Sequence, residues 1–424
     1  MEWNQLLSDR RFGKEYVAKS AAERRTEFQR DYDRLIFSAA FRRMQNKTQV
    51  FPLPGSVFVH NRLTHSLEVS SVGRSLGADV AALLQQRDSA AGERTPEALG
   101  AIVSAACLAH DMGNPPFGHS GERAIRSFFA EGQGREWQKM LPDGVWTDIV
   151  NFDGNANAFR LLTHQFNGHR AGGFVMTYAT LAAIVKYPFA SDCCRGKSKF
   201  GFFQSEAADF QRIADELGLP NCAASDESLR FARHPLVYLV EAADDICYQI
   251  MDLEDAHKLR LLSDEQAEAL LLDFFTPEAR ERLRSAYPMV TDANDRMVYY
   301  RSSIINALER ACVNIFVDNE AAILAGTFEG SLIDHLPEPL LGAYQRCAAL
   351  AKEKIYRSKE VMDVDLAGYH IIYTLLELMT EAVLAPQKAY SQMLLGMASK
   401  QYELRAERLE VRLMAVLDYL SGMT

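Results

Sequence analysis

Apolar residues in this chain recur with the period of an α-helix along most of its length, and strand-like alternation is rare. In residues 97–109, EALGAIVSAACLA, the side chains of Leu99, Ile102, Val103, Ala106 and Cys107 share one face. Residues 236–251, 303–316, 365–383 and 401–420 read the same way. In the last of these, Leu404, Leu409, Val411, Leu413, Val416 and Leu417 alternate with Arg and Glu, as in a helix with one solvated face. The best strand candidate is QVFPLPGSVFV (49–59), a short hairpin around Pro54-Gly55. The fold class is therefore all-α. No repeat or low-complexity tract interrupts it, and loops are expected at 86–96, 131–157 and 191–230.

A chain of 424 residues holds two or three domains of ordinary size or one large helical domain. The organisation expected is an N-terminal extension (1–24), a helical body (25–260) and a helical C-terminal portion (261–424), with no long linker at the second boundary. The net charge of −10 argues against a nucleic-acid coat protein, whose phosphate partner would be repelled; a local basic pocket for a small anion stays open. No stretch approaches the ~18 consecutive apolar residues of a membrane helix, and the first residues lack the apolar core of a signal peptide. A cytoplasmic location is the expectation. Seven cysteines without a CxxC pair argue against a disulfide framework or a thiolate zinc site.

The unusual polar residues gather in a few segments. NRLTHSLE (61–68) holds His65. LAHDMGNPPFGHSGE (108–122) places His110 and Asp111 at the end of an apolar helix; Gly113, Pro115, Pro116 and Gly118 then break it, and His119 and Glu122 follow on a new helix start. VEAADDICYQIMD (240–252) places Asp244 and Asp245 in an otherwise apolar helix, with Tyr248 and Asp252 behind them.

Adjacent residues on a regular helix diverge by about 100°, so His110 and Asp111 reach one ion only at a helix end, which the break at 113–115 supplies. Imidazole and carboxylate suit a divalent ion: Mg, Mn, Fe, Co, Ni or Zn. With His65 and one more carboxylate the set is His2Asp2, leaving coordination positions for water and a substrate oxygen. The alternative is a surface or capping pair, against which stands the second acidic pair, because charges in an apolar helix need partners. His119 and Glu122, three apart, share a helix face and suit either proton transfer or helix capping. Residues 23–49 are locally basic, with Arg24, Arg25, Arg30, Arg34, Arg42, Arg43 and Lys47, and read as phosphate contacts or as a solvated helix face. Lys186-Tyr187-Pro188 and the run Lys352, Lys354, Tyr356, Arg357 and Lys359 are further phosphate candidates. No GxxxxGK[ST], GxGxxG or GxSxG loop is present.

His65, His110-Asp111 and Asp244, in this order, resemble the HD-domain metal phosphohydrolases. With RTEFQRDYDRLIFSAAFRRMQNKTQVF (25–51), NRLTHSLEVS (61–70), FDGNANAFRLL (152–162), KYP (186–188) and EAADDICYQIMDLEDA (241–256), the likeness narrows to the deoxyguanosinetriphosphate triphosphohydrolase family. The resemblance covers about 25–260 strongly and the C-terminal portion weakly.

It implies an HD-domain helical bundle with an added helical C-terminal portion. It also implies hydrolysis of dGTP and other dNTPs by water attack at the α-phosphorus, giving deoxynucleoside and tripolyphosphate, with a divalent metal, Mg or Mn first. By the family pattern His65, His110, Asp111 and Asp244 are the ligands; Asp244 is preferred to Asp245 because it follows Ala-Ala and precedes Tyr248 by four residues. His119 and Glu122 match the catalytic pair. Gln49 matches a contact to the base, Arg42 or Arg43 a phosphate contact, and Lys186, Tyr187, Tyr248 and Asp252 the surroundings of sugar and phosphate. Arg357 stands for the family's lid arginine. Where the family often reads GNAQ, this chain has Gly154-Asn155-Ala156-Asn157, with a shorter last side chain. Family members are usually homo-oligomers, often hexamers, and some respond to a regulatory nucleotide or single-stranded DNA. The competing functions are another HD phosphohydrolase (5′-nucleotidase, cyclic-dinucleotide or (p)ppGpp hydrolase) and a nucleic-acid-binding protein with a vestigial HD site.

Overall fold

The computed structural model describes residues 1–15, 24–51, 59–87, 96–194, 198–223, 229–286 and 289–424. Among the described residues the regular elements are helices, tied in places by isolated β-bridges such as Thr48–Asn61 and Phe189–Arg230. The all-α expectation therefore holds. The hairpin turn expected at Pro54-Gly55 lies outside the described residues.

The helices that frame the site are α1 (Glu27–Ile36), α2 (Arg62–Arg87), α3 (Pro96–Ala109), α4 (Gly118–Ala130), α5 (Gly154–Thr163), α6 (Tyr178–Ile184), α7 (Val237–Lys258), α8 (Ala293–Asp318), α9 (Lys359–Leu384) and α10 (Leu409–Ser421). α2 and α3 lie at the centre and nearly touch: a Cβ on Gly77 would come within 2.9 Å of the Gly100 Cα, so a side chain there would force the helices apart.

Two apolar cores result. The first takes Leu35 of α1, Val69 and Leu76 of α2, Ile102 and Val103 of α3, Ile246 and Ile250 of α7, and Ile304 and Leu308 of α8. The second takes Phe128 and Phe129 of α4, Ile372 and Leu376 of α9, and Leu413, Val416 and Leu417 of α10. α5 joins them, giving Ala156 to the second core and Phe159 and Leu162 to the first. Each such side chain, fully buried, contributes roughly 1.5–3 kcal/mol.

Two expected loops contain helices. Within 131–157 lies a helix at Asp143–Val150, and α5 begins at Gly154, where the Asp153 side chain accepts a hydrogen bond from the Asn155 N–H. Within 191–230 lies a helix at Ala207–Leu217. Its Phe210, Ile213, Ala214 and Leu217 follow helical spacing and are buried, a pattern that the surrounding Gly, Ser and Pro obscure.

Candidate active site

α3 ends at Ala109, and the turn 110–117 aims His110 and Asp111 at His65 of α2 and Asp244 of α7. His65 Nε2 lies 3.0 Å from the Asp244 carboxylate, and His110 Nε2 lies 3.5 Å from the same oxygen and 3.8 Å from the Asp111 carboxylate. The candidate ligand atoms of His65, His110 and Asp111 lie within 4.8 Å of one another. His110 Nδ1 is 2.6 Å from the Cys107 carbonyl, so Nδ1 donates there and Nε2 is the nitrogen turned to the cluster, the one that would bind a metal once it gives up its proton.

The electrostatics are those of a closely packed charge set. Burial works against protonation of His110, but Asp111 and Asp244 raise its pKa to about 9. Burial likewise opposes the charge on Asp244, yet His110 and His65 hold its carboxyl well below the usual range. Asp111 is buried and held low by Arg62, whose guanidinium is 2.6 Å away, and Asn114 donates to its other oxygen. The next carboxyl, Asp245, is pushed up to about 7, first by burial, and no histidine pairs with it among the described residues. Asp244 is thus the member of the pair that faces the histidines.

Of these, Arg62, His110, Asp111, Asn114, Asp244 and Asp245 line one lobe of a cleft, about 340 Å³, which adjoins a wider lobe of about 710 Å³. Gln49, Arg62, His119 and Tyr248 line both. The narrow lobe also receives Lys186, Tyr187, Lys199 and Glu122; the wide lobe receives Arg123, Lys352, Tyr356 and Arg357. A π-helical turn, Ala351–Ile355, carries Lys352 and leads directly into Tyr356 and Arg357.

Each candidate has a distinct place. His119 sits in the first turn of α4, where burial lowers its pKa and so favours the neutral imidazole, with Glu122 the main opposing influence. Glu122 is buried; one oxygen accepts the Gly154 N–H at 2.7 Å, and the other has no hydrogen-bond partner among the described residues. The Gln49 side-chain oxygen is likewise buried and unpartnered. Lys186 pairs with Glu241 at 3.0 Å, which holds its ammonium above the ordinary value against the opposing effect of burial. Tyr248 stacks on Tyr356 with ring centroids 6.0 Å apart, and the Tyr356 hydroxyl donates to Asp252 at 2.6 Å. Asp252 is buried, raised to about 8 chiefly by burial, and acts on the cleft through Tyr356.

Two candidates are not brought to the cleft. Arg42 is exposed and donates to the Phe37 carbonyl at 3.2 Å, and Arg43 faces a different cavity. Both sit on the short helix Ala39–Arg43, which ends before the chain reaches Gln49. Asn157 also turns away from the cleft and donates to the Gly113 carbonyl at 2.7 Å. Arg25 and Arg30 pair with Asp33 and Glu27, as on a solvated helix face.

Three residues that the sequence reading passed over, Arg62, Arg123 and Lys199, stand in the cleft. Arg62 precedes His65 by three, so helical spacing puts both on one face of α2. Lys199 lies 4.0 Å from Glu122 and 3.3 Å from Asp153, and no local pattern marks it.

The HD domain family matches residues 62–147, which span His65, the His110-Asp111 pair, His119 and Glu122. A Pseudomonas aeruginosa protein named deoxyguanosinetriphosphate triphosphohydrolase-like is 40% identical over all of this chain and 96% of its own. A Synechocystis protein of the same name is 37% identical over the same shares. A Yersinia enterocolitica protein named deoxyguanosinetriphosphate triphosphohydrolase is 30% identical over 95% of this chain and 86% of its own. The chain is therefore an enzyme, a phosphohydrolase, and belongs to the deoxyguanosinetriphosphate triphosphohydrolase family of HD-domain proteins.

Proposed function

We propose that the enzyme hydrolyses deoxynucleoside triphosphates, dGTP among them, at the α-phosphorus, releasing deoxynucleoside and tripolyphosphate, and that it needs a divalent metal to do so. The observation that carries this reading is the junction of the His65, His110, Asp111 and Asp244 cluster with a cleft lined by Arg62, Arg123, Lys352 and Arg357. An acidic and imidazole-rich end beside a cationic end suits a polyphosphate whose charge is divided between a cation and arginines. The His2Asp2 donor set fits a borderline or hard divalent ion, Mg or Mn first, with Fe, Co, Ni or Zn able to occupy the same ligands. Such an ion, when bound, supplies Lewis-acid stabilisation of the phosphoryl oxygens.

The protein's own groups do the rest. Arg62 orients Asp111 through one guanidinium N–H. In the reaction, water forms a bond to the α-phosphorus, the P–O5′ bond breaks, and the proton lost by water is matched by the one gained at O5′. His119, which burial pushes toward the neutral imidazole and which shares the first turns of α4 with Glu122, is the proton carrier of this exchange. Gln49 meets the base, and Lys186 and Tyr187 meet sugar and phosphate. The Tyr248–Tyr356 stack, pinned by Asp252, forms a rigid wall against which a 2′-hydroxyl would collide. Arg357 closes on the polyphosphate from the wide lobe. Assembly as a homo-oligomer, a hexamer by the resemblance, and response to a nucleotide or single-stranded DNA belong to the same reading; the exposed Leu366, Met393 and Met397 offer apolar surface for self-association.

The test is mutational. His110→Ala and Asp111→Ala abolish hydrolysis and metal binding while the circular dichroism spectrum stays native. His119→Ala keeps the metal and loses roughly a hundredfold to ten-thousandfold in kcat. A His110→Ala protein that loses the metal but turns over at the native rate contradicts the ligand assignment. An unchanged rate in His119→Ala returns that residue to a capping role.

A further inference from the structure

Phe117, two residues before His119, adopts a backbone that residues with side chains rarely do: φ 62° and ψ 16°, in the left-handed region. Gly118 follows at φ 51°, so the chain makes two left-handed steps before α4 is under way. Nothing local demands this of a phenylalanine, since Gly or Asn takes the same turn with less strain. The conformation persists because its surroundings impose it. Those surroundings lie on α9. A Cβ on Gly368 would stand 2.3 Å from the Phe117 Cγ and 2.5 Å from its Cδ1, so only a glycine lets the ring lie against the α9 backbone. Phe117 is partly buried against the second core and also lines the wide lobe of the cleft.

α9 holds the same turn at two further points. The buried Ser120 donates from its hydroxyl to the Asp365 carbonyl at 2.7 Å, and Arg123, one turn on, reaches the Asp365 carboxylate at 3.4 Å. Burial raises the Asp365 pKa, and Arg123 and then His119 oppose it, which puts this carboxyl within electrostatic reach of the imidazole. On the α2 side, a Cβ on Gly118 would come within 2.5 Å of an Arg62 guanidinium nitrogen. His119 therefore sits on a turn held between α9 and Arg62, the residue that orients Asp111. The chain just before α9 is the stretch that brings Tyr356 and Arg357 into the wide lobe.

We infer that Phe117 is a positioning residue for His119 and that Gly368 is its seat on α9: the contact of ring with glycine fixes the left-handed step, and with it the direction of the imidazole in the cleft. Strained backbone clusters at active sites, where it fixes a geometry that a relaxed turn would leave loose. A proton carrier displaced by about 1 Å loses most of its effect, so a small shift of this turn reads out in turnover rather than in substrate binding. The inference rests on the reading of His119 as the proton carrier.

The experiment is steady-state kinetics of dNTP hydrolysis by the full-length, metal-loaded enzyme, with metal affinity measured alongside. Gly368→Ala drives a methyl into the ring, and Phe117→Ala removes the ring. Each is expected to lower kcat at least about tenfold, with KM and metal affinity within about twofold of native. If Gly368→Ala does not fold, Phe117→Ala carries the test. Two double variants separate positioning from packing alone. Gly368→Ala has little further effect on kcat in Phe117→Ala, because the ring it would strike is gone. Phe117→Ala has little further effect in His119→Ala, because no imidazole is left to place. Native kcat in the folded single variants, or the full loss repeated in the His119→Ala background, overturns the inference. So does a fall in metal affinity that matches the fall in kcat, which would locate the damage at Asp111. A native rate in His119→Ala removes the proton carrier and this inference together, whereas a slow His119→Ala beside native-rate Phe117 and Gly368 variants rejects the positioning alone.

Discussion

Arg62 is the residue on which the geometry of the cleft depends beyond its four candidate ligands. Its guanidinium holds the Asp111 carboxylate at 2.6 Å while also lining both lobes. Arg62→Ala therefore leaves a buried carboxylate without its counter-charge, and it is expected to weaken metal affinity roughly tenfold to a hundredfold, measurable by competitive titration. Arg62→Lys restores the charge as a compact ammonium but not the planar guanidinium that also lines both lobes, and is expected to recover only part of that affinity. His60, two residues before Arg62, tests the electrostatics by pH. Burial disfavours its charge, but hydrogen bonds to Asp255 at 2.9 Å and Glu68 at 3.1 Å raise its pKa to about 10. A folded-state pKa above the unfolded value of about 6.5 adds stability that is complete below pH 6.5 and is lost as pH rises toward 10. His60→Gln should accordingly cost roughly 3 kcal/mol near pH 6 and much less near pH 10, by denaturant unfolding. At this scale the sequence was legible in part. The His110-Asp111 and Asp244-Asp245 pairs stand out because charges at the ends or on the faces of apolar helices require partners, whereas His65 and the choice of Asp244 over Asp245 come from the family resemblance. Lys199 was not legible, since it reaches Glu122 from a segment far along the chain with no periodicity of its own.

At the scale of the element, the join between the metal turn and α5 is the tightest contact near the site. A Cβ on Gly113 would stand 2.1 Å from the Ala158 N and 2.2 Å from the Gly154 carbonyl, so the turn lies directly on the α5 backbone. Gly113→Ala is expected to push α5 outward, cost about 1–3 kcal/mol or more in stability, and lower metal affinity, all without removing a polar group. A melting temperature and metal affinity equal to the native protein's would show that α5 does not position the turn. The long helices were readable because each shows several turns of unbroken period. Asp143–Val150 and Ala207–Leu217 were not, because they are short and lie among Gly, Pro and polar residues, and their burial comes from the second core and from α6 rather than from local pattern. The departure at Asn157 likewise has a meaning that only three dimensions supply: its amide turns to Gly113 and away from the cleft.

For the whole molecule, the C-terminal helices do more than extend the chain. α9 and α10 build the second core with α4, and α10 is tied to α5 by the buried pair Arg160–Asp418 at 2.8 Å. Glu206 joins the same guanidinium at 2.6 Å. Asp418→Asn removes one charge-assisted hydrogen bond while Glu206 still balances Arg160, and is expected to destabilise the protein by about 1–3 kcal/mol, seen as a lower midpoint in urea. The π-helical turn Ala351–Ile355, just before α9, brings Tyr356 and Arg357 to a cleft whose candidate ligands lie before residue 245, so the wide lobe includes residues of the C-terminal portion that the weak resemblance there already singles out. Among the described residues no helix is long and apolar enough to cross a membrane.

The reaction itself is the claim that joins these scales, and the identity and labelling of its products test it most directly. The purified enzyme is incubated with Mn or Mg and each of the four dNTPs, and with GTP, in ¹⁸O-labelled water, and the products are separated by anion exchange and weighed by mass spectrometry. Attack at the α-phosphorus predicts deoxynucleoside without label and tripolyphosphate carrying one ¹⁸O, with GTP spared. Nucleoside monophosphate or diphosphate, or label in the deoxynucleoside, would contradict the assignment and place the enzyme among the nucleotidase or alarmone-hydrolysing kinds of HD phosphohydrolase.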